Sequence, residues 1–277
     1  MKMKYRLILI LSLFFALTSC KNEKQIDKPS TNLGKENTIS FLNKGHELVY
    51  KMTQKVGDYT KLSNKKDVVY TYTYQTPDGK SDVSTEKYIF NGELSYGNYN
   101  KHQRTLANLE GIIEQGYDGS EFWLKNNGQL ITDTTALKRV AFNRPTNYYW
   151  FTMMQKLLDP GLNYEHLGEK TINNFKYDIV KVTFESKDNA AKDIYQLYIN
   201  KETNLVDQFL FTVMDFKKTE PLLMELTYEN IDGLLIPTKR RYKNSNWNAD
   251  VTDKPWILVN WSDIKFDNNL NKELFQK

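Results

Sequence analysis

The stretch DVVYTYTYQTPDGK, residues 67–80, decides the fold. Tyr70, Tyr72 and Tyr74 alternate with Val69, Thr71 and Thr73, a period of two that sends successive side chains to opposite faces of a sheet. Pro77 presets its φ and Gly79 accepts a positive one, so residues 77–80 read as the turn between two antiparallel strands. The partner strand is STEKYIF, residues 84–90, and Asn91-Gly92 announces a second hairpin. Working downstream, strands are predicted over residues 93–99, 111–117, 121–124 and 129–132, with turns at Asp118-Gly119 and Asn126-Asn127-Gly128. The front half is therefore antiparallel sheet built from hairpins.

Upstream of that sheet, Ile39, Leu42, His46, Val49 and Met52 or Thr53 recur at three-to-four spacing, which predicts an amphipathic helix from Thr38 to about Val56, capped by Asn37 or Thr38. Downstream, TDTTALKRVAF predicts a short capped helix. RPTNYYWFTMMQKLLDPG predicts a second one, with Pro145 near its start and Asp159-Pro160-Gly161 as its stop. Strands then resume as FKYDIVKVTF, DIYQLYIN, LVDQFLFTVM, LLMELTYE, IPTKRRY and PWILVNWSDIKF. Several are apolar on both faces: Val206, Leu210 and Met214 oppose Phe209, Phe211 and Val213, as in a strand covered on both sides.

At the other end of the chain, Lys2, Lys4 and Arg6 precede an apolar run from Leu7 to Leu17, the layout of a secretory signal. That run is too short for the roughly 20 residues a membrane-crossing helix needs. Leu17-Thr18-Ser19-Cys20 follows and resembles the lipobox of bacterial lipoproteins, in which the cysteine is acylated and becomes the first residue of the mature chain. The alternative is an ordinary signal peptide that happens to contain a cysteine. On the lipobox reading residues 1–19 are a signal peptide, Cys20 is a lipid attachment point carrying fatty acyl groups such as palmitate, and residues 20–37 are a flexible tether spanning about 20 to 25 Å. Residues 38–277 then form one domain, since no Pro/Gly-rich linker or fixed repeat divides them.

Composition and motif spacing narrow the function classes. The chain is formally +4, and removing residues 1–19, with three positive charges and no acidic one, leaves +1. A nucleic-acid partner would need a larger basic excess, and TKRRYK (238–243) reads as a solvated rim because strand charges alternate between faces. His46-Glu47-Leu48-Val49-Tyr50 begins like a zinc-protease helix, but Tyr50 stands at the second ligand position, and only His102 and His166 remain elsewhere. His46 is read as a half-buried packing residue, and no metal or cofactor is expected. No Gly-x-Ser-x-Gly elbow or phosphate-binding glycine loop is present. A glycosidase stays open as an alternative, since carboxylates such as Asp207 and Glu225 could approach across strands, but no catalytic residues are assigned.

Against that stands the aromatic inventory of 14 Phe, 18 Tyr and 5 Trp. Tyr149, Trp150, Met153, Met154 and Leu157 form an apolar helix surface wider than one sheet contact requires, and methionine adapts to irregular pockets. With Trp123 and the strand residues Val182, Phe184, Phe209, Phe211 and Met224, they are the candidate ligand-binding set. Core packing alone accounts for most of these side chains.

A family resemblance joins these pieces. YDGSEFWLKNNGQL (117–130) is similar to the Asp-Gly then aromatic-Trp strand pair of the outer-membrane lipoprotein carriers. LGEKTINNFKYDIVKVTF, LYINKETNLVDQFLFTV and ENIDGLLIPTKRRY resemble the order of strands in the second half of that family. Over residues 148–184 the chain more closely resembles uncharacterised lipoproteins of Gram-negative, Bacteroidota-type bacteria with a LolA/LolB-like fold. Each motif is short, and the resemblance extends over about residues 38–270. The resemblance implies a mainly β fold with helices (α+β), an open antiparallel half-barrel closed on its concave side by helices. It also implies an apolar lining, used in the carriers to hold acyl chains. The lipobox sets the chain apart from the soluble carriers and makes the membrane-anchored receptor the better analogue. The expectation is a non-enzymatic envelope lipoprotein, on the periplasmic or outer face of the outer membrane, that binds an acyl chain, a lipid or another hydrophobic ligand. The alternative is a scaffold whose outer surface binds an envelope protein partner.

Overall fold

The structure, a computed structural model, describes residues 39–186 and 191–277. The signal peptide, Cys20 and the tether to residue 37 lie outside the described residues.

The first helix, α1 (Lys44–Val56), is capped by Asn43, whose side chain accepts from the His46 amide at 3.0 Å. Its start is later than the periodicity predicts, because Ile39 and Leu42 are exposed and take no part in the buried stripe. That stripe is Leu48, Val49, Met52, Thr53 and Val56. His46 is half-buried and stacks on Tyr164 at 5.1 Å. A short helix, α2 (Tyr59–Ser63), leads into the sheet.

Strands β1 (Asp67–Gln75), β2 (Ser81–Ile89), β3 (Leu94–His102), β4 (Ile113–Tyr117), β5 (Phe122–Asn126) and β6 (Gln129–Leu130) form the first meander. Its opening hairpin pairs Gln75 with Ser81 across a turn in which Gly79 has φ +83°. The chain then runs through α3 (Thr134–Lys156) and begins a second meander: β7 (Leu162–Ile172), β8 (Phe175–Phe184), β9 (Ile194–Asn200), β10 (Val206–Val213), β11 (Lys218–Ile231), β12 (Leu234–Asn244) and β13 (Ile257–Phe266). Strand β13 pairs with β1, which joins the two meanders into one antiparallel sheet of 13 strands ordered β6-β5-β4-β3-β2-β1-β13-β12-β11-β10-β9-β8-β7. The sheet is open, with β6 and β7 as its edges.

Three expectations are corrected. The two helices predicted around Pro145 are one continuous helix of 23 residues, capped by Asp133, whose side chain accepts from the Ala136 amide at 2.8 Å. An interior proline removes one i→i−4 hydrogen bond. Burial on both sides of it, Val140 and Asn143 before and Tyr148 and Phe151 after, outweighs that loss. Strand β7 was not among the strands predicted from periodicity; as an edge strand it has a neighbour on one side only and a largely polar sequence. Finally, Val206 does not share a face with Leu210. An irregularity between Val206 and Gln208 shifts the register, so Val206 joins Phe209 and Phe211 in one core while Leu210 belongs to another with Tyr177, Ile179, Tyr198 and Leu223.

The largest core brings α1 (Leu48, Val49, Met52), α3 (Met153, Met154) and its C-cap Leu157 onto Val180, Val182, Phe209, Phe211 and Met224 of β8, β10 and β11. A second core sets Tyr148 and Phe151 of α3 against Tyr70, Tyr88, Leu234 and Trp261. Fully burying one such side chain contributes roughly 1.5–3 kcal/mol, so packing rather than propensity holds α3 in place. Residues Ser40–Lys277 form a compact unit that contains all of these cores. Among the described residues no helix is long and apolar enough to cross a membrane.

Candidate functional site

Between the middle of α3 and the sheet lies a cavity of about 830 Å³. Its helical wall runs from Arg139 to Trp150, with Lys156 beyond it. Its floor comes from both meanders: Tyr72, Tyr74 and Tyr99 from β1 and β3, Phe211, Leu222 and Met224 from β10 and β11, and Tyr242, Val259 and Trp261 from β12 and β13. The period-two alternation puts Tyr72 and Tyr74 on one face of β1, and the exposed Phe216, in the short 3-10 turn after β10, forms part of the rim.

Of the candidate ligand-binding residues, Tyr149, Trp150, Phe211 and Met224 line this cavity. Met153, Met154, Leu157, Val182 and Phe209 are fully buried in the adjoining core, and Phe184 packs half-buried against it. Trp123 is elsewhere, in a separate cluster with Ile89, Leu94, Tyr96 and Phe275. Its indole donates to the Phe275 carbonyl at 2.6 Å. Its ring lies against Gly116, where an added Cβ would come within 2.1 Å of Cε2, so that glycine makes room for it.

Sequence reasoning missed the sheet tyrosines Tyr72, Tyr74, Tyr99 and Tyr242 of the lining, and its arginines Arg104, Arg144 and Arg240. Arg144 and Glu86 form an ion pair at 2.8 Å with both side chains fully buried, and Glu86 also accepts from Ser84 and Tyr88 at 2.7 and 3.0 Å. Burial pushes the Arg144 guanidinium down, and Glu86 with its neighbouring tyrosines more than reverses that and holds it above its usual range. Arg104 is paired with Asp82 at 2.9 Å and lies 3.6 Å over the Tyr74 ring. Arg240 is only 3% exposed. The basic run TKRRYK is thus only partly a solvated rim: Lys239 and Arg241 are exposed, while Arg240 turns inward. Burial pushes its pKa down to about 9, which still leaves it charged at neutral pH. Burial raises Tyr72 and brings Tyr99 up to about 12, so these cavity tyrosines stay neutral.

The arrangement offers aromatic and aliphatic surface together with Arg104, Arg139, Arg144 and Arg240 and the carboxylates of Asp82, Glu93, Asp193 and Asp215. None of the three histidines lines the cavity. His102 sits between the Thr105 and Gly111 carbonyls, and His166 pairs with Asp178 on β7 and β8. Asp207 accepts from Tyr177 and Asn200, while Glu225 is held by Arg241. Among the described residues no group of three His, Cys, Asp or Glu side chains could hold a metal ion.

A family of unknown function, DUF6503, matches residues 122–220 of the chain. No curated protein matches it. The structural neighbours are LolA-superfamily, lipoprotein-sorting and DUF1329 proteins. A LolA-superfamily protein from Nitrosomonas europaea is 13% identical, with 84% of this chain and 97% of that one covered and a TM-score of 0.49. A DUF1329 protein from Desulfovibrio piger is 14% identical over 84% and 95% of the two chains, TM-score 0.49. A Vibrio parahaemolyticus domain described as an outer membrane lipoprotein-sorting protein is 12% identical over 84% and 96%, TM-score 0.48. At such identities the likeness is one of backbone course and assigns no ligand to this chain.

Proposed function

We propose that the chain is a non-enzymatic lipoprotein of the cell envelope, anchored to the outer membrane through acylated Cys20, whose cavity binds an acyl chain or another hydrophobic ligand. In this reading residues 1–19 are a cleaved signal, residues 20–37 a tether, and the unit from residue 38 onward an open half-barrel with α1 and α3 over its concave side. The observation that carries the reading is the cavity itself: about 830 Å³, within the 300–1,000 Å³ typical of small-molecule sites, with a floor of aromatic and aliphatic side chains. A filled core with an exposed apolar patch would have favoured the partner-binding scaffold instead.

The test is titration of lipid-stripped Ser40–Lys277 with a fluorescent fatty-acid probe, comparing Phe211→Asp, which places a charge in the cavity floor, with Lys239→Asp on the opposite face of β12. Loss of saturable binding in the first and retention in the second is the expected result, because desolvating a carboxylate in an apolar site is costly. Equal binding by both folded variants would move the partner-binding scaffold to the front.

A further inference from the structure

Of the three arginines deep in the cavity wall, two have carboxylates of their own: Arg144 has Glu86 and Arg104 has Asp82. Arg240 has none among the described residues. Its Nε donates to the Pro237 carbonyl at 3.1 Å and its Nη2 to the Trp150 carbonyl at 2.7 Å, and both acceptors are neutral. A guanidinium carries five N–H donors, so donors remain unused while the side chain is 3% exposed. The guanidinium lies 3.8 Å over the Trp261 ring, and the Trp261 Nε1–H has no acceptor. The hydroxyl of Thr238, at the irregularity where the register between β11 and β12 shifts, is likewise without a partner. This corner of the cavity therefore holds donors in excess, one whole uncompensated positive charge and no carboxylate.

An unpaired buried cation is among the costliest groups a core can hold. An oxyanion beside it would supply the missing charge through short, charge-assisted hydrogen bonds, bidentate where the planar fork allows. The aromatic and aliphatic part of the lining, with Tyr72, Phe211, Leu222, Met224 and Val259, suits a hydrocarbon chain. The carboxylates that also line the cavity lie elsewhere on its wall: Asp82 is paired with Arg104, Glu93 with Lys156, and Asp193 accepts from the Met214 amide, with Asp215 beside it in sequence. We propose that the ligand of this cavity is an amphiphile with an oxyanion headgroup, a carboxylate or a phosphate, held by Arg240 while its chain lies along the aromatic floor. The proposal rests on the cavity reading above and narrows its ligand class. Acid and alcohol of the same chain length differ only in the group Arg240 would hold.

The experiment uses the full chain purified in detergent micelles and photoreactive hexadecanoate, hexadecyl phosphate and hexadecanol, each titrated as a mole fraction of the micelle. Crosslinking is quantified by intact mass. The wild-type chain is expected to take one or both oxyanions about 10- to 100-fold more tightly than the alcohol, the range of one charge-assisted hydrogen-bonded contact. Which oxyanion is preferred separates a carboxylate source from a phosphate source. Arg240→Met should bring the oxyanions down to the level of the alcohol, and Arg240→Lys should keep part of the preference. Equal binding of acids and alcohol by the wild-type chain overturns the headgroup proposal and leaves the hydrophobic cavity standing; this comparison needs no variant and survives any failure of Arg240→Met to fold. A preference that persists in folded Arg240→Met also overturns it. Saturable labelling by none of the three probes removes the cavity reading and this proposal with it.

Discussion

The Glu86→Gln substitution keeps the size of the side chain and removes its charge from a site where both Glu86 and Arg144 are fully buried. In the native protein Glu86 accepts from Arg144 Nη1 at 2.8 Å and Nη2 at 3.3 Å, from Ser84 at 2.7 Å and from Tyr88 at 3.0 Å. With glutamine there, Arg144 keeps the Tyr99 hydroxyl at 3.0 Å, and its charge has no counterion. Breaking a buried pair from one side costs about 3–5 kcal/mol, most of it the penalty of the stranded charge. For a unit of this size each kcal/mol shifts the melting midpoint by about 2–4 °C, so the expected drop is about 6–20 °C. Removing both charges, in Glu86→Gln with Arg144→Met, should recover a large part of the loss, because no unpaired ion is left. Thermal melting of Ser40–Lys277 and the three variants, read as a double-mutant cycle, is the assay. A drop below about 3 °C in Glu86→Gln, or losses that add in the double variant, would refute the reasoning.

Gly97→Ala should act on the same pair from the backbone, since a Cβ there would stand 2.6 Å from Arg144 Nη1 and 2.8 Å from Glu86 Oε1. Overpacking of this kind costs about 1–3 kcal/mol, to be read as a lower melting midpoint; an unchanged midpoint would mean the pair has room to move. Cys20→Ala should abolish metabolic incorporation of labelled fatty acid, and wild-type labelling of that variant would remove the lipobox reading.

Period-two alternation with turn chemistry made much of the sheet legible. FKYDIVKVTF coincides with β8, and the Tyr alternation with β1. The edge strand β7 was missed because its apolar positions are too sparse, although its turn was readable: Asn173 and Asn174 both have positive φ, as a two-residue hairpin loop requires. Pro145 misled because a local breaker was weighed without the packing on both of its sides. The irregularity at Val206 leaves no mark in composition, so the face of Val206 could not be read. At the site, apolar type located the core that adjoins the cavity, hence Met153 and Phe209, better than the wall, which owes much of its character to tyrosine and arginine. Alternation along TKRRYK was read as a solvated rim; that Arg240 faces inward became visible only with its pairing to the buried Val259.

On the proposed reading, the cavity between α3 and the sheet holds a hydrocarbon chain. Burying ten methylenes there would contribute on the order of 8 kcal/mol before the cost of immobilisation, which makes micromolar binding a reasonable expectation. The direct measurement is photocrosslinking of lipid-stripped Ser40–Lys277 with a diazirine-bearing fatty acid, with the labelled residues located by peptide mass spectrometry. Saturable labelling at one chain per molecule, on Tyr72, Trp150, Phe211 or Met224, is the predicted result. Labelling that does not saturate, or that falls on exposed positions such as Leu167 and Phe175 while those four stay unlabelled, would contradict it.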